Sequence, residues 1–321
     1  MIVYKDYDQK QLDHQYNKRA EVPNFQVYVD DWQRRSEEAR GRWAHQSDLS
    51  YGSGPRETLD FFSADADGGP LLIFLHGGYW QAMDKSVFHF LVEGFLPLGV
   101  HCAIVNYPLA PAATMDEIVG SSRRALAWLA RRASALGFDA ETIHVSGHSA
   151  GGHLVAMLAA TSREELEAFE GSTEPRSEGE AIDPLPEQPV HSVCALSGLF
   201  DLKPVRLSYL NAVLGMNADC AQRNSPQYLN AVSTAPLVVG VGGDEADEFL
   251  AQSRDFASRW RQQGLEIEEW APEGANHFNI LDDFCQPGGQ LHSAVLRQLG
   301  LPGAGFSVAP SPPGEDALSG T

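Results

Sequence analysis

The most informative segment of the sequence is Ile143-His144-Val145-Ser146-Gly147-His148-Ser149-Ala150-Gly151-Gly152. It begins as an apolar run of strand length and continues into small residues that favour a helix. Between the two, the pattern G-x-S-x-G places Ser149 on a sharp turn, where the flanking glycines let strand and helix approach closely. The N-terminus of the helix adds backbone N–H groups and a partial positive charge beside the serine. The segment therefore predicts that Ser149 is a nucleophile.

A second glycine motif, His76-Gly77-Gly78-Tyr79-Trp80, follows directly after the apolar run Leu71–Leu75. A glycine pair at this point lets the backbone curl, so that consecutive N–H groups face one spot. We expect the N–H groups of Gly78 and Tyr79 to form an oxyanion hole together with that of Ala150. Alone, this motif would indicate only a glycine turn between a strand and a helix. Because it lies upstream of the predicted turn at Ser149, we favour the oxyanion-hole interpretation.

A serine nucleophile also needs a base and an acid, in the chain order Ser, Asp or Glu, His. Asn276-His277-Phe278 follows the last predicted strand, which makes His277 the candidate base. The acid is expected after the apolar run Leu237–Val241, where Asp244 and Glu245 are adjacent. Either carboxylate can hold an imidazole by one N–H, so this pattern leaves the choice between them open.

From Glu57 onward, apolar runs of strand length alternate with amphipathic stretches, which predicts the α/β class with a mainly parallel central sheet and helices on both faces. The predicted strands are Thr58–Phe62, Leu71–Leu75, Cys102–Asn106, Thr142–Ser146, His191–Leu196, Leu237–Val241 and Leu265–Trp270. The predicted helices are Ser86–Phe95, Asp116–Leu136, Ala150–Ala160, Asp247–Gln262 and Gly289–Leu299.

Three segments depart from this alternation. Residues 1–50 are polar and favour helix, so we expect a helical or cap segment packed on a main domain at 51–301. Within that domain, residues 164–187 carry nine acidic residues and one arginine, which indicates an acidic insert with a solvated surface. Residues 302–321 are rich in Gly, Pro and Ser, and we expect a disordered tail.

The chain of 321 residues has 43 acidic and 23 basic side chains and a formal net charge of −20 at pH 7. A surface this acidic repels phosphate backbones and anionic lipids, so neither nucleic acid nor a membrane is expected as a partner. A small-molecule substrate remains the expected partner, and base rates for oligomers favour a homodimer.

Cysteine usage and the N-terminus bear on the cellular compartment. The four cysteines show no CxxC pair and no metal-ligand spacing, which predicts reduced thiols in a cytoplasmic protein without a metal site. Residues 1–10 hold no apolar signal core, so export is not expected. No organic cofactor is expected either, because the serine supplies the nucleophile.

Further blocks of sequence surround the two glycine motifs and His277. They are Tyr16-Asn17-Lys18-Arg19, Val22-Pro23-Asn24, Tyr51-Gly52, Asp84-Lys85-Ser86, Asn106-Tyr107, Gly152-His153, Ser197-Gly198-Leu199-Phe200-Asp201-Leu202, and Glu248-Phe249 with Gln252. Together the blocks cover most of the chain, and they resemble the α/β-hydrolases of the kynurenine formamidase (arylformamidase) group, neighbours of the hormone-sensitive-lipase-like esterases. In that family's register the acid stands three residues before the Glu-Phe pair, which favours Glu245 over Asp244.

The resemblance implies an α/β-hydrolase that converts N-formyl-L-kynurenine to kynurenine and formate through an acyl-enzyme. The expected substrate-binding residues are His76, Gly77, Trp80, Tyr107 and His153. For the aromatic side chains, simple core packing is the alternative interpretation. The alternative functions are a carboxylesterase, or an amidase or carbamate hydrolase, acting on another aryl substrate. A non-catalytic ligand-binding homologue is a more remote alternative.

Overall fold

The computed structural model describes residues 1–169 and 182–301, with strands and helices alternating along most of this length. Its strands are β1 (Ile2–Tyr4), β2 (Tyr7–Asp8), β3 (His45–Ser50), β4 (Thr58–Phe62), β5 (Gly69–Leu75), β6 (His101–Val105), β7 (Phe138–His148), β8 (Ser192–Leu196), β9 (Leu237–Gly240) and β10 (Ile267–Trp270). Its α-helices are α1 (Gln9–Gln15), α2 (Lys18–Glu21), α3 (Phe25–Arg42), α4 (Met115–Ala130), α5 (Ala133–Leu136), α6 (Ala150–Ala159), α7 (Arg163–Phe169), α8 (Leu202–Leu207), α9 (Asn211–Leu214), α10 (Ala218–Arg223), α11 (Asp247–Arg261), α12 (Ile280–Cys285) and α13 (Gln290–Gln298).

Eight of these strands form one sheet in the order β10-β9-β8-β7-β5-β6-β4-β3. The pairs from β10 to β6 are all parallel, while β4 runs antiparallel to both β6 and β3. Parallel strands place their carboxyl ends on one edge of the sheet. The loops that follow β5, β7, β8, β9 and β10 therefore start from the same side of the molecule.

Hydrophobic packing covers both faces of the sheet. In β5 the side chains of Leu71, Ile73 and Leu75 belong to one buried cluster, and those of Leu72 and Phe74 belong to the other. Apolar side chains of α4, α6 and α11 complete the first cluster, and those of α3, α12 and α13 complete the second. Helices thus cover a mainly parallel sheet on both faces, and the predicted fold class is confirmed.

All seven predicted strands are present, with ends that differ from the prediction by up to four residues. One strand of the sheet was not predicted. The segment that forms β3, His45-Gln46-Ser47-Asp48-Leu49-Ser50, holds a single apolar residue and pairs with β4 at the edge of the sheet. An edge strand buries little, so its sequence need not be apolar.

Two predicted helices differ from the structure. Ser86–Phe95 is not an α-helix but two 3₁₀-helices, Lys85–Val87 and His89–Gly94. The stretch predicted as one helix over Asp116–Leu136 is divided into α4 and α5 by a break after Ala130.

The N-terminal fifty residues hold the β1–β2 ribbon, α1 to α3 and the edge strand β3. Helix α3 lies against the main sheet domain, where Ser36 Oγ donates a 2.8 Å hydrogen bond to the carbonyl of Val87. Arg35 Nη1 also lies 2.6 Å from Asp282 Oδ1 in α12. Because β3 pairs with β4, the central sheet continues across the expected domain boundary at residue 50.

Parts of two predicted segments lie outside the described residues. Helix α7 covers the start of the acidic stretch 164–187, whereas residues 170–181 and the expected tail at 302–321 are not described. In the ranges 1–169 and 182–301, no helix has both the length and the apolar character that a membrane span requires.

Candidate active site

The candidate residues lie at the carboxyl-end edge of the sheet. Ser149 follows β7, the motif His76–Trp80 follows β5, and Glu245 lies in the segment after β9. His277 comes after β10, between that strand and α12. Residues that are far apart in the sequence are therefore brought to one edge by the parallel strand order.

Ser149 lies on a strained turn between β7 and α6. Its φ of 57° and ψ of −118° are rarely adopted by a residue other than glycine. A 2.8 Å hydrogen bond from Ser149 N to the carbonyl of Leu196 in β8 fixes the backbone of this turn. Such strain persists only where the surrounding structure holds it, and it is typical of functional sites.

The glycines of the G-x-S-x-G pattern are required by close backbone contacts. A Cβ atom at Gly147 would lie 2.3 Å from the carbonyl oxygen of Gly151. A Cβ atom at Gly151 would lie 1.8 Å from the carbonyl oxygen of Leu75 in β5. No side chain fits at these distances, so the helix can approach the sheet and present Ser149 only with glycine at both positions.

His277 is held by a buried carboxylate. Its Nδ1 lies 2.6 Å from Glu245 Oε2, and the other carboxylate oxygen accepts hydrogen bonds from Ser197 Oγ at 2.5 Å and from Gly242 N at 3.0 Å. Burial alone would raise the pKa of Glu245, but His277, the nearby Lys18 and the hydrogen bond from Ser197 lower this pKa to about 2. The carboxylate is therefore ionised at neutral pH. Because it can only accept, the proton of a neutral His277 is on Nδ1, and Nε2 is the basic nitrogen.

Of the two adjacent carboxylates, only Glu245 bonds to His277. The Asp244 side chain is exposed and accepts a 3.3 Å hydrogen bond from the backbone N–H of Gly274. The structure thus places Glu245, and not Asp244, against His277, and this is the register that the resemblance implies.

A second histidine, His148, holds the segment that carries His277. Its Nε2 donates a 2.8 Å hydrogen bond to the backbone carbonyl of His277, and the two rings are 4.7 Å apart. Burial and the neighbouring His277 lower the pKa of His148 to about 3, so this ring stays neutral. His148 thus holds the backbone of the segment that carries the candidate base.

Sequence reasoning missed the contribution of Lys18 to this site. The residue lies in α2, is 4% exposed, and places its Nζ atom 3.9 Å from Glu245 Oε2. The same ammonium group pairs with Glu21 and lies 3.8 Å from the centre of the Phe249 ring. Lys18 belongs to the block Tyr16–Arg19, but nothing in the local pattern indicates contact with a residue more than two hundred positions away.

The loop after β5 has an unusual backbone that suits an oxyanion hole. Gly78, Tyr79 and Trp80 have consecutive positive φ angles of 110°, 51° and 57°. Among the described residues, no hydrogen bond from the N–H of Gly78 or Tyr79 is found. A Cβ atom at Gly77 would lie 3.1 Å from Ser149 Cβ, so this loop runs directly beside the serine. The N–H of Ala150, at the first position of α6, has no partner within the helix.

A cavity of about 530 Å³ lies next to Ser149, which is a volume typical of small-molecule sites. Its lining includes residues from the segments at the sheet edge: Gly77, Gly78, Tyr79, Gln81, Ala82, Met83, Phe88, His148, Ser149, Tyr209, Leu210, His277 and Phe278. The rest of the lining comes from the N-terminal segment: Asn17, Lys18, Arg19, Phe25, Gln26, Val29 and Trp32. The cavity is therefore built from both the N-terminal segment and the sheet-edge loops.

Four residues expected to bind substrate lie outside this lining. His76, Trp80, Tyr107 and His153 are all buried at 0% exposure. Tyr107 Oη donates to the carbonyl of His76, and the two rings stack 4.5 Å apart. Trp80 meets the ring of His153 edge-on at 5.1 Å. The structure therefore places these four residues in the core, outside the cavity lining, whereas Gly77 lines the cavity.

Within residues 1–169 and 182–301, no cluster of three or more His, Cys, Asp or Glu side chains could hold a metal ion. A hydroxyl, an imidazole, a carboxylate and free backbone N–H groups are the kinds of group that acyl transfer requires, and Ser149, His277, Glu245 and the loop after β5 supply these kinds at this edge.

The chain is similar in sequence and in fold to known hydrolases. The profile of the BD-FAE family matches residues 59–258. Kynurenine formamidase from Salmo salar is 28% identical, over 94% of this chain and 99% of its own length. A proposed thioesterase from Silicibacter sp. TM1040 superposes with a TM-score of 0.72 at 29% identity, over 88% of this chain and 97% of its own. Esterase B from Lactobacillus rhamnosis, at 17% identity and a TM-score of 0.63, covers 88% of this chain and 96% of its own and shares the fold.

Replacing Gly151 by alanine is expected to lower the free energy of unfolding by about 3 kcal/mol or more, because the new methyl group would overlap the Leu75 carbonyl. Urea denaturation followed by circular dichroism measures this loss. Gly41→Ala in α3 is the matched control, since a Cβ there would meet no atom within 4 Å. We expect this control to stabilise the protein by about 0.5–1 kcal/mol. Equal stability of the two variants would contradict the close-approach explanation.

Proposed function

The chain belongs to the BD-FAE family, and on that premise we propose that it is a serine hydrolase that cleaves the C–N bond of an N-formyl arylamine. The observation that carries the proposal is the hydrogen bond between His277 and Glu245 at a cavity that Ser149 also lines. The kynurenine formamidases that resemble this chain over 94% of its length support N-formyl-L-kynurenine as substrate, with kynurenine and formate as products.

In the first half of the reaction, Ser149 Oγ attacks the formyl carbon while His277 Nε2 takes the hydroxyl proton. Glu245 stabilises the resulting imidazolium through the bond to Nδ1. The negative oxygen of the tetrahedral intermediate is held by the N–H groups of Gly78, Tyr79 and Ala150. His277 then gives its proton to the arylamine nitrogen, the C–N bond breaks, and a formyl-enzyme remains.

In the second half, water attacks the formyl ester on Ser149 and gives its proton to His277. The second tetrahedral intermediate collapses with release of formate, and the proton on His277 returns to the serine oxygen. The protein's own groups perform every proton transfer in this sequence.

The chemistry of an aryl formamide suits this site. The ring delocalises the lone pair of the nitrogen, which weakens amide resonance and makes the C–N bond easier to cleave than that of an alkyl amide. The cavity offers aromatic walls for such a ring in Phe25, Trp32, Phe88 and Phe278.

A second candidate is hydrolysis of aryl esters, thioesters or carbamates by the same three residues. The resemblance to a proposed thioesterase at 29% identity favours it, because thioester cleavage needs the same nucleophile and oxyanion hole. A non-catalytic ligand-binding role has less support, since Ser149, Glu245 and His277 are all retained.

The direct test is hydrolysis of N-formyl-L-kynurenine beside 4-nitrophenyl acetate, with Ser149→Ala as the comparison. We expect a kcat/KM for the formamide above about 10⁴ M⁻¹s⁻¹ and a loss of at least about 10⁴-fold in kcat in the variant. Removal of one hydroxyl should leave the urea denaturation curve unchanged. Hydrolysis of the ester without the formamide would favour the second candidate, and undiminished activity in Ser149→Ala would contradict both.

The identity of the acid is tested by comparing Glu245→Gln with Asp244→Asn. A glutamine at 245 lacks the charge that stabilises the imidazolium, and we expect kcat to fall by about 10³- to 10⁴-fold. Asp244→Asn should change kcat by less than about 2-fold, because this side chain does not touch His277. Urea denaturation of each variant separates a kinetic effect from loss of the fold. A larger loss in Asp244→Asn would contradict the assignment.

A further inference from the structure

The cavity beside Ser149 has a charge opposite in sign to that of the chain. Although the chain has 43 acidic side chains and only 23 basic ones, none of the described residues that line the cavity is Asp or Glu. Two basic residues, Lys18 and Arg19, do line it. A cavity that excludes acidic side chains in so acidic a protein favours an anionic ligand, because low-dielectric walls focus the field of the cations.

The two cations differ in their partners. The Lys18 ammonium is buried between Glu21 and Glu245, so its charge is already balanced within the protein. Arg19 is exposed, and no salt bridge or hydrogen bond joins its guanidinium to another described residue. Its contact is instead with an aromatic ring, as the guanidinium carbon lies 5.2 Å from the ring centre of Phe25. Arg19 is therefore the cation that can bind a ligand in the cavity.

Aromatic contacts connect Arg19 with the candidate base. The ring of Phe25 lies 5.8 Å from that of Phe278, and the ring of Phe278 lies 5.6 Å from that of His277. Because Phe25 and Phe278 both line the cavity, an aryl group placed along this wall would have the reacting end near His277. The opposite end of the ligand would then lie near Arg19.

We propose that Arg19 binds a carboxylate on the amine side of the substrate, so that the preferred substrates are N-formyl arylamines that carry a carboxylate and not formanilides that lack one. This inference rests on the proposed function and names a specificity residue for it. A guanidinium binds a carboxylate through two parallel N–H···O bonds, which gives orientation as well as attraction. The interaction is made equally in the ground state and the transition state, so it acts mainly on KM.

The test compares N-formyl-L-kynurenine, which carries a carboxylate, with formanilide, which is neutral. We expect the ratio of the two kcat/KM values to fall by about 10- to 100-fold in Arg19→Ala, mainly through a higher KM for N-formyl-L-kynurenine. Arg19→Lys should restore part of the ratio, because it keeps the charge and loses the bidentate geometry. Arg254→Ala is the control, since it removes one exposed charge outside the cavity lining and should leave the ratio unchanged.

A binding measurement separates this inference from the proposed reaction. In isothermal titration calorimetry, 4-phenylbutanoate should bind the wild-type protein about 10-fold more tightly than 4-phenylbutanamide, and Arg19→Ala should remove the difference. Formamide hydrolysis with an unchanged substrate ratio in Arg19→Ala would overturn the role of Arg19 and leave the proposed function in place. If the protein does not hydrolyse the formamide but binds the carboxylate probe preferentially through Arg19, the proposed function is overturned and the role of Arg19 stands. Equal binding of both probes to the wild type would overturn the anion site.

Discussion

The buried carboxylate of Glu245 is the group around which the site is organised. It accepts hydrogen bonds from His277, from Ser197 after β8 and from Gly242 after β9. A buried charge is costly unless it is paired and hydrogen-bonded, so the loops that supply these donors must meet for the fold to be stable. The bonds from Ser197 and Gly242 hold the carboxylate in place, and its bond to His277 fixes the tautomer of that ring. Stability and the readiness of the base for proton transfer therefore depend on one interaction.

The N-terminal segment completes this arrangement. Lys18 places an ammonium group beside Glu245, and Phe25 and Trp32 form part of the cavity wall that faces the sheet-edge loops. Ser149, in contrast, is presented by the backbone alone, through a strained turn and the close approach of α6 to β5. The proposed site thus combines a serine held rigidly at the edge of the central sheet with a cavity wall from residues that precede the sheet in the chain.

The sequence predicts what local chemistry dictates. The glycines of the turn at Ser149 lie within a few residues of one another, and buried parallel strands require apolar runs. The turn and the strands could therefore be predicted from the sequence alone. Tertiary packing decides the rest. Tyr79 and Trp80 are adjacent, yet only Tyr79 lines the cavity. The strand β3 has one apolar residue because it lies at the sheet edge, and the contacts of Lys18 and Phe25 with this site leave no local signal.

The most direct measurement of the central claim is covalent labelling with a fluorophosphonate, followed by mass spectrometry of the peptides. Such a reagent reacts with a serine whose hydroxyl is activated by a neighbouring base and whose oxyanion is stabilised. The account predicts one adduct per chain, located on Ser149, and much slower labelling when Glu245 is replaced by glutamine. An unmodified Ser149 under conditions that label other serine hydrolases, or an adduct on a different residue, would contradict it.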